Sequence, residues 1–229
     1  MSFIVAIDGP AGSGKGTITN IVSKKLNLIN IGSGSAYRAV ALETINQNIK
    51  LEEKDKIIEL LDEINIEFKI EDGKDIVLLN GKDVSKRIRQ SDVSKIVSQV
   101  SSIKEVRFNL NKIFRKCAES KNIIMEGRDI TTYVFPNADV KIYLDATKEE
   151  RAKRRLKQNE ESNILDMSYE DILKNIEIRD KNDMEKEVGA LKIAEDAIYI
   201  DSTNMEIEDV VNKIVEIIKS NKKFLNVNY

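Results

Sequence analysis

The stretch Phe3–Ile18, FIVAIDGPAGSGKGTI, decides the fold. Its opening run, Phe3 to Ile7, is rich in aliphatic and β-branched residues and too short for a helix, which predicts a strand buried on both faces in a parallel sheet. Gly9, Gly12, Gly14 and Gly16 follow at once. Lacking Cβ atoms, they can take positive φ, turn their N–H groups into a shared concavity and let a polyphosphate approach the backbone. Beyond Lys15, the residues Ile18, Ile21, Val22 and Leu26 recur at helical spacing, so the amides of the loop sit at a helix N-terminus, where the helix dipole favours anions.

Gly9-x-x-x-x-Gly14-Lys15, set between a strand and a helix, is the P-loop pattern, and Gly9, Pro10, Ala11, Gly12, Ser13, Gly14, Lys15, Gly16 and Thr17 are its residues here. Gly16 stands where the general pattern has a Ser or Thr that ligates Mg²⁺, and Thr17 comes one place later. This GKGT ending resembles nucleoside monophosphate kinases more than GTPases or motor ATPases. The resemblance implies a metal held largely by phosphates and water, with no protein metal site.

Composition narrows the function further. The chain of 229 residues can bury a full core as one domain with insertions, and two compact domains are not expected. A formal charge of −2 and a pI near 5.6 give no basic excess for binding nucleic acid. The expected partner is a small molecule. Histidine is absent, which removes imidazole bases, His metal ligands and Ser-His triads. Cys117 is the lone cysteine, so no internal disulfide exists, and it falls on the apolar stripe Val106, Leu110, Ile113, Phe114, Cys117 as a core residue. There is no signal-type apolar run and no 18-residue hydrophobic span, so a cytoplasmic protein that does not enter membranes is expected.

Of 37 basic residues 27 are Lys, so the ten Arg are candidates for places that need a planar, bidentate fork. They are Arg38, Arg87, Arg89, Arg107, Arg115, Arg128, Arg151, Arg154, Arg155 and Arg179. Arg87, Arg89 and Arg115 stand in solvated-looking surroundings.

Further along, Leu28–Ile31 reads as a second strand running into a glycine-bearing turn (32–38) and a helix to about Asn46. A helix is predicted over 53–64. Ile64, Ile66, Phe68 and Ile70 then alternate, Asp72-Gly73 turns the chain, Ile76–Leu79 runs back and Asn80-Gly81 turns it again, which predicts a three-stranded meander inserted in the main domain. Helices follow at about 92–102 and 104–119. Ile123–Met125, Val140–Leu144 and Ala197–Ile200 are the third, fourth and fifth strands. Thr147-x-x-Glu150 caps a helix on which Arg151, Arg154 and Arg155 share a face, which is either a bound-anion site or a solvated surface. Residues 157–167 are polar and aperiodic and read as a mobile tip. Ser168-x-x-Asp171 caps a helix carrying Arg179, Asp183 and Lys186. Thr203-x-x-Glu206 caps the closing helix, with Ile207, Val210, Val211, Ile214 and Ile218 as its packing stripe.

Strands alternating with helices predict an α/β fold with a parallel sheet, right-handed crossovers and helices on both faces. Ligands then bind at the carboxyl ends of the strands, where Gly9, Gly32 and Glu126 fall.

With these residues in view the chain resembles the bacterial cytidylate kinases over roughly residues 3–218. The most specific segments are DGPAGSGKGT (8–17), GSAYRA (34–39), SQV (98–100), GRDITTYVFPNADVKIYLDAT (127–147), EERAKRR (149–155) and IRDKND (178–183). The resemblance implies a single P-loop NTPase domain over 1–229. It has a five-stranded parallel sheet flanked by helices, an acceptor-binding insert at about 35–108 containing a small antiparallel β-meander (64–84), and a helical lid at about 151–187. It implies transfer of a phosphoryl group from ATP, with Mg²⁺, to CMP and dCMP in pyrimidine nucleotide metabolism, by a monomer. Gly9 to Thr17 would hold the ATP phosphates, and Arg38 and Arg128 the acceptor phosphate. Ser33, Arg107 and Asp129 would face the cytosine, with Lys186 reaching the base and Tyr37 in the same site. Ser98, Arg179 and Asp183 would face the pentose. Lys15, Arg128, Arg151, Arg154, Arg155 and Arg179 would act on the transferred group.

The chain departs from the family pattern at Gly32 and Glu126, where Asp is usual, at Ala190, where Pro is usual, and at Lys186, where an Arg is usual. Two other readings stand beside this one: a P-loop kinase for another acceptor, such as UMP, AMP or a hydroxylated metabolite, and a nucleotide-dependent switch, which the missing Asn-Lys-x-Asp disfavours.

Overall fold

Five short strands build the parallel sheet that carries the site: β1 (Ile4–Asp8), β2 (Ile29–Gly32), β6 (Ile123–Gly127), β7 (Val140–Asp145) and β8 (Ile198–Asp201), in the spatial order β2-β6-β1-β7-β8. The computed structural model describes residues 2–71, 74–161 and 167–227. β1 is the middle strand, paired on both edges and covered on both faces, which is why Val5, Ala6 and Ile7 are fully buried. Its last residue, Asp8, lies in register with Gly127 on one side and Tyr143 on the other. Gly32 pairs with Glu126, so three strand ends and the loops after them share one edge of the sheet.

One face is covered by α1 (Lys15–Leu26) and α8 (Ile207–Ser220), with Ile18 and Val22 packed against Val210, Val211 and Ile214. Burying each such aliphatic side chain is worth about 1.5–3 kcal/mol. A short α9 (Lys222–Val227) brings Phe224 edge-on to Phe3, with ring centroids 5.1 Å apart. The other face carries α2 (Ser33–Asn46), α3 (Lys54–Glu63), α4 (Ser91–Ser102) and α5 (Lys104–Glu119).

Between α3 and α4 stands the meander: β3 (Ile66–Glu71), β4 (Lys74–Leu79) and β5 (Lys82–Asp83), a separate three-stranded antiparallel sheet. Ile66 faces Leu79 and Phe68 faces Val77 in register, all four buried, with Phe68 against Phe114 at 6.2 Å. Asn80 (φ 51°) and Gly81 (φ 78°) both take the left-handed region that tight hairpin turns demand. The turn expected at Asp72-Gly73 falls outside the described residues. Asp75 ties the meander to the main sheet, accepting from Asn30 Nδ2 at 2.7 Å and Asn20 Nδ2 at 3.2 Å. Opposite, α6 (Lys148–Glu161) and α7 (Tyr169–Met184) pack on each other through Ala152, Ile172 and Ile176.

All five sheet strands and the meander follow the sequence reading, and four local expectations need correction. Lys186, expected on the helix capped by Ser168, lies two residues beyond the end of α7 at Met184. Residues 157–161, expected in a mobile tip, continue α6, because Glu, Gln and Lys are good helix formers even without an apolar stripe; residues 162–166 of that tip fall outside the described residues. Thr203 does not cap α8, whose N-cap is Glu206. The Thr203 hydroxyl donates instead to Asp201, a charged acceptor two residues away. Ile207 is more than half exposed, so the packing stripe starts at Val210. Among the described residues no helix is long and apolar enough to cross a membrane.

Candidate active site

The glycine loop forms where β1 ends. Gly9 has φ 154°, and a Cβ there would run into the carbonyl oxygen of Leu144 on β7, so only glycine lets the chain turn this close to the sheet. Gly12 and Gly14 also have positive φ, at 79° and 90°, whereas Gly16 is already helical in α1. Lys15 curls back over the loop: its Nζ donates to the carbonyls of Gly9 and Pro10, both at 2.7 Å, and to Ser13 Oγ at 3.2 Å. Burial pushes its ammonium down to about 7, and the Arg128 charge adds to that, against the opposing pull of Glu126 and Asp8. Thr17 is exposed at the start of α1.

Lys15 feels the charges of Arg128, after β6, and Arg179, on α7, and Arg179 in turn feels Arg155 on α6 and Arg38 on α2, so guanidinium ions from four segments stand together. Arg179 is held below the usual range by enclosure of its head group and then by the charges of Arg128, Arg155 and Arg38, partly offset by Asp183. Arg38 is lowered in the same way, by desolvation, Arg89 and Arg155. Cations that depress one another make an electrostatic sink that a polyanion fills. Arg128 is held by Asp183, its Nε 2.8 Å from Oδ2, and Lys186 reaches the other oxygen of the same carboxylate at 2.7 Å. Asp183, expected at the pentose, is therefore paired with Arg128, and Lys186, expected at the base, is paired with Asp183. Arg38 donates to the Ile88 carbonyl and to Ser94 Oγ.

Of the three arginines expected on one face of α6, only Arg155 joins this cluster, exposed and hydrogen-bonded to Gln158 at 2.8 Å. Arg151 is buried against the phosphate loop: Nη1 donates to the Ala11 carbonyl at 2.8 Å, Nε to Ala146, and the head group pairs with Asp180 at 2.7 Å. Arg154 donates to the Ser202 carbonyl and hydroxyl and to Glu150. Spacing along α6 puts the three on neighbouring positions, but the acceptors around the helix draw them in three directions.

Beside the cluster lies a second, drier feature. Arg107 of α5 and Asp129 form an ion pair in which each side chain is only 8% exposed. The guanidinium sits 5.8 Å from the centroid of the Tyr37 ring, and burial pushes the Tyr37 hydroxyl up. Desolvation raises the Asp129 carboxyl against the opposing pull of Arg107. Arg107 Nε is buried with no hydrogen-bond partner among the described residues, so the pair keeps donor capacity in reserve. Gly189, at φ 71°, closes over it, and any Cβ there would collide with Arg107 Nη2 and Asp129 Oδ2. Ser33 lines the same region next to Gly127, while Ser98 is exposed on α4.

A family model described as cytidylate kinase matches residues 5–220. The chain belongs to the cytidylate kinase family. A cytidylate kinase of Caldicellulosiruptor saccharolyticus is 51% identical over 213 residues, which is 93% of this chain and 94% of that protein. One of Lactobacillus johnsonii is 43% identical over 219 residues, covering 96% and 95% of the two chains. Among solved structures, an uncharacterized protein from Eubacterium ventriosum is 13% identical, covers 96% of this chain and 99% of its own, and superimposes with a TM-score of 0.53; it speaks for the fold alone.

Three residues of this cytidylate kinase cleft escape a reading of the sequence. Asp8 is fully buried and accepts from the N–H groups of Ile130 and Thr131 and from the Thr131 hydroxyl. Asp180 clamps Arg151, and Gly189 roofs the Arg107–Asp129 pair. A carboxylate at the buried end of an apolar strand is a signal that could have marked Asp8. Asp180 stands inside the quoted segment IRDKND (178–183) without a role of its own there, and nothing local marks Gly189.

Proposed function

We propose that the chain transfers the γ-phosphoryl group of ATP to CMP, and to dCMP, giving ADP and the nucleoside diphosphate. The observation that carries this reading is the juxtaposition, in a cytidylate kinase family member, of a phosphate loop, a converging set of guanidinium ions and a buried Arg107–Asp129 pair. Gly9 to Thr17 would cradle the ATP phosphates. Mg²⁺ would enter with ATP, held largely by the phosphates and water, since Gly16 offers no hydroxyl. Arg38 and Arg128 would grip the acceptor phosphate, and Arg155 and Arg179 the group in flight.

Phosphoryl transfer passes through a loose transition state that needs in-line placement and neutralisation of the equatorial oxygens more than a side-chain base. The absence of histidine is no obstacle to it. Cytosine carries an amino donor at C4 and acceptors at N3 and O2. Asp129 can accept from the first and Arg107 donate to the others, whereas uracil mismatches both. Residues about 35–108 form the acceptor-binding insert and about 151–187 the lid, which closes to keep water from the transferred group.

The test is ADP release by the purified protein with each nucleoside monophosphate in turn. CMP should exceed UMP by roughly 10²-fold in kcat/KM. Equal kcat/KM for the two, or preference for AMP, would overturn the assignment.

A further inference from the structure

Asp8 lies outside every role above, yet it is fully buried and its carboxylate is fully engaged. Oδ1 accepts from the Ile130 N–H at 2.9 Å, and Oδ2 accepts from the Thr131 N–H at 2.7 Å and the Thr131 hydroxyl at 2.6 Å. These donors open the helical turn Ile130–Val134, whose N-cap residue is Asp129. An aspartate at an N-cap ordinarily turns its own carboxylate onto the next free N–H groups. Asp129 makes no such bond; its side chain goes to Arg107. The capping of that turn is done from 122 residues away, by the last residue of the strand that leads into the phosphate loop.

We propose that Asp8 is a positioning residue for acceptor recognition: by capping the 130–134 turn in place of Asp129, it frees the Asp129 carboxylate to hold Arg107 and face the base. The same three bonds fix Arg128 and Asp129 relative to Gly9, since Asp8 is also in register with Gly127. The groups facing Asp8 fit this role. Its three donors favour the ionised carboxylate, Asp129 is the like charge beside it, and Lys15 is a nearby cation that feels it. Burial pushes the Asp8 carboxyl up to about 6, so at neutral pH it stands in the acceptor-only form that the geometry requires.

The functional consequence rests on the reading of Arg107 and Asp129 as the cytosine-facing pair, and the experiment separates the two claims. The variants are Asp8→Asn, whose amide presents N–H groups to the Thr131 donors, and Thr131→Val, which removes one donor and leaves the carboxylate. Asp129→Asn is the control. Kinetics are taken with CMP and UMP at saturating ATP, ATP affinity by titration, and a crystal structure of Asp8→Asn. Asp8→Asn should lower the CMP-to-UMP ratio of kcat/KM about tenfold, with ATP affinity changed less than about threefold, and Thr131→Val should move the ratio the same way by less. In the crystal the Asp129 carboxylate should have turned onto the 130–134 amides.

A purely packing role would lower thermal stability and leave the ratio in place, and that result overturns the inference, as does Asp129 remaining on Arg107. If Asp8→Asn does not fold, an unchanged ratio in Thr131→Val has the same force. If Asp129→Asn leaves the ratio untouched, the base-reading assignment fails instead, and the position of Asp129 in the crystal still decides whether Asp8 holds it.

Discussion

Arg151 donates to the carbonyl oxygen of Ala11, 140 residues earlier in the chain, from a position in which its guanidinium is also paired with Asp180. Asp180 in turn accepts from the Ala11 N–H at 3.4 Å, so both peptide groups of one loop residue are held by the α6–α7 pair. The phosphate loop is thus tied to both α6 and α7. Removing one partner of a buried pair leaves the other uncompensated. Asp180→Ala should destabilise the protein by about 3 kcal/mol and raise the KM for ATP, as read by denaturant melts and initial rates. Unchanged ATP kinetics would show that the clamp has no part in nucleotide binding.

Lys15 should couple ATP binding to proton uptake. Burial lowers it from its ordinary 10.5 to about 7, and phosphate oxygens would restore the charged form. Calorimetric titration with ATP near pH 8, in buffers of different ionisation enthalpy, should therefore report a proton taken up by the wild type and none by Lys15→Ala. The sign for stability follows. The unfolded chain holds this proton up to about 10.5 and the folded one releases it near 7, so this group makes the ligand-free protein more stable as pH rises through that window. Lys15→Ala should also lose roughly 10²–10³-fold in kcat with its fold intact, because its three hydrogen bonds lie within its own loop.

Arg128→Lys should be far from conservative. Arg128 uses Nε for Asp183 and Nη1 for the Gly127 carbonyl, so its fork is held in place from behind. A lysine can keep the charge but cannot both contact Asp183 and present a pair of donors to a phosphate. A loss of about tenfold or more in kcat/KM for CMP is expected, with the Kd for ATP preserved. Wild-type kinetics with CMP would make Arg128 a structural residue only.

Gly189→Ala should damage the acceptor site without touching the phosphate loop. At φ 71° an alanine is strained, and its methyl group would collide with both partners of the Arg107–Asp129 pair. Either the segment lifts or the pair parts, and in both cases the KM for CMP should rise while the KM for ATP holds. A variant with unaltered CMP kinetics would mean that the segment stands clear of the pair when substrate is bound.

Much of this architecture is written in local pattern. β1, the glycine loop and α1 are legible in Phe3–Ile18 because a buried strand, positive-φ glycines and helical spacing act over a few residues each. The meander is legible for the same reason, in the period-two run from Ile64 to Ile70 and the Asn80-Gly81 turn. Residue type likewise marked all ten arginines as candidates, Arg107 and Arg128 among them, in a chain where 27 of 37 basic residues are Lys. Which of them converge was not legible. Arg151, Arg154 and Arg155 look equivalent on a helical wheel, and only the acceptors brought near them, the Ala11 carbonyl, Ser202 and Gln158, divide their roles. Asp8 meets Thr131, and Gly189 meets Arg107, across separations that no periodicity records. The alternation of apolar and polar residues determines which faces are buried, through a free energy that is short-ranged in sequence and indifferent to partner. A buried charge must find particular donors, and those donors are gathered only when the strand order β2-β6-β1-β7-β8 sets the ends of β1, β6 and β7 side by side.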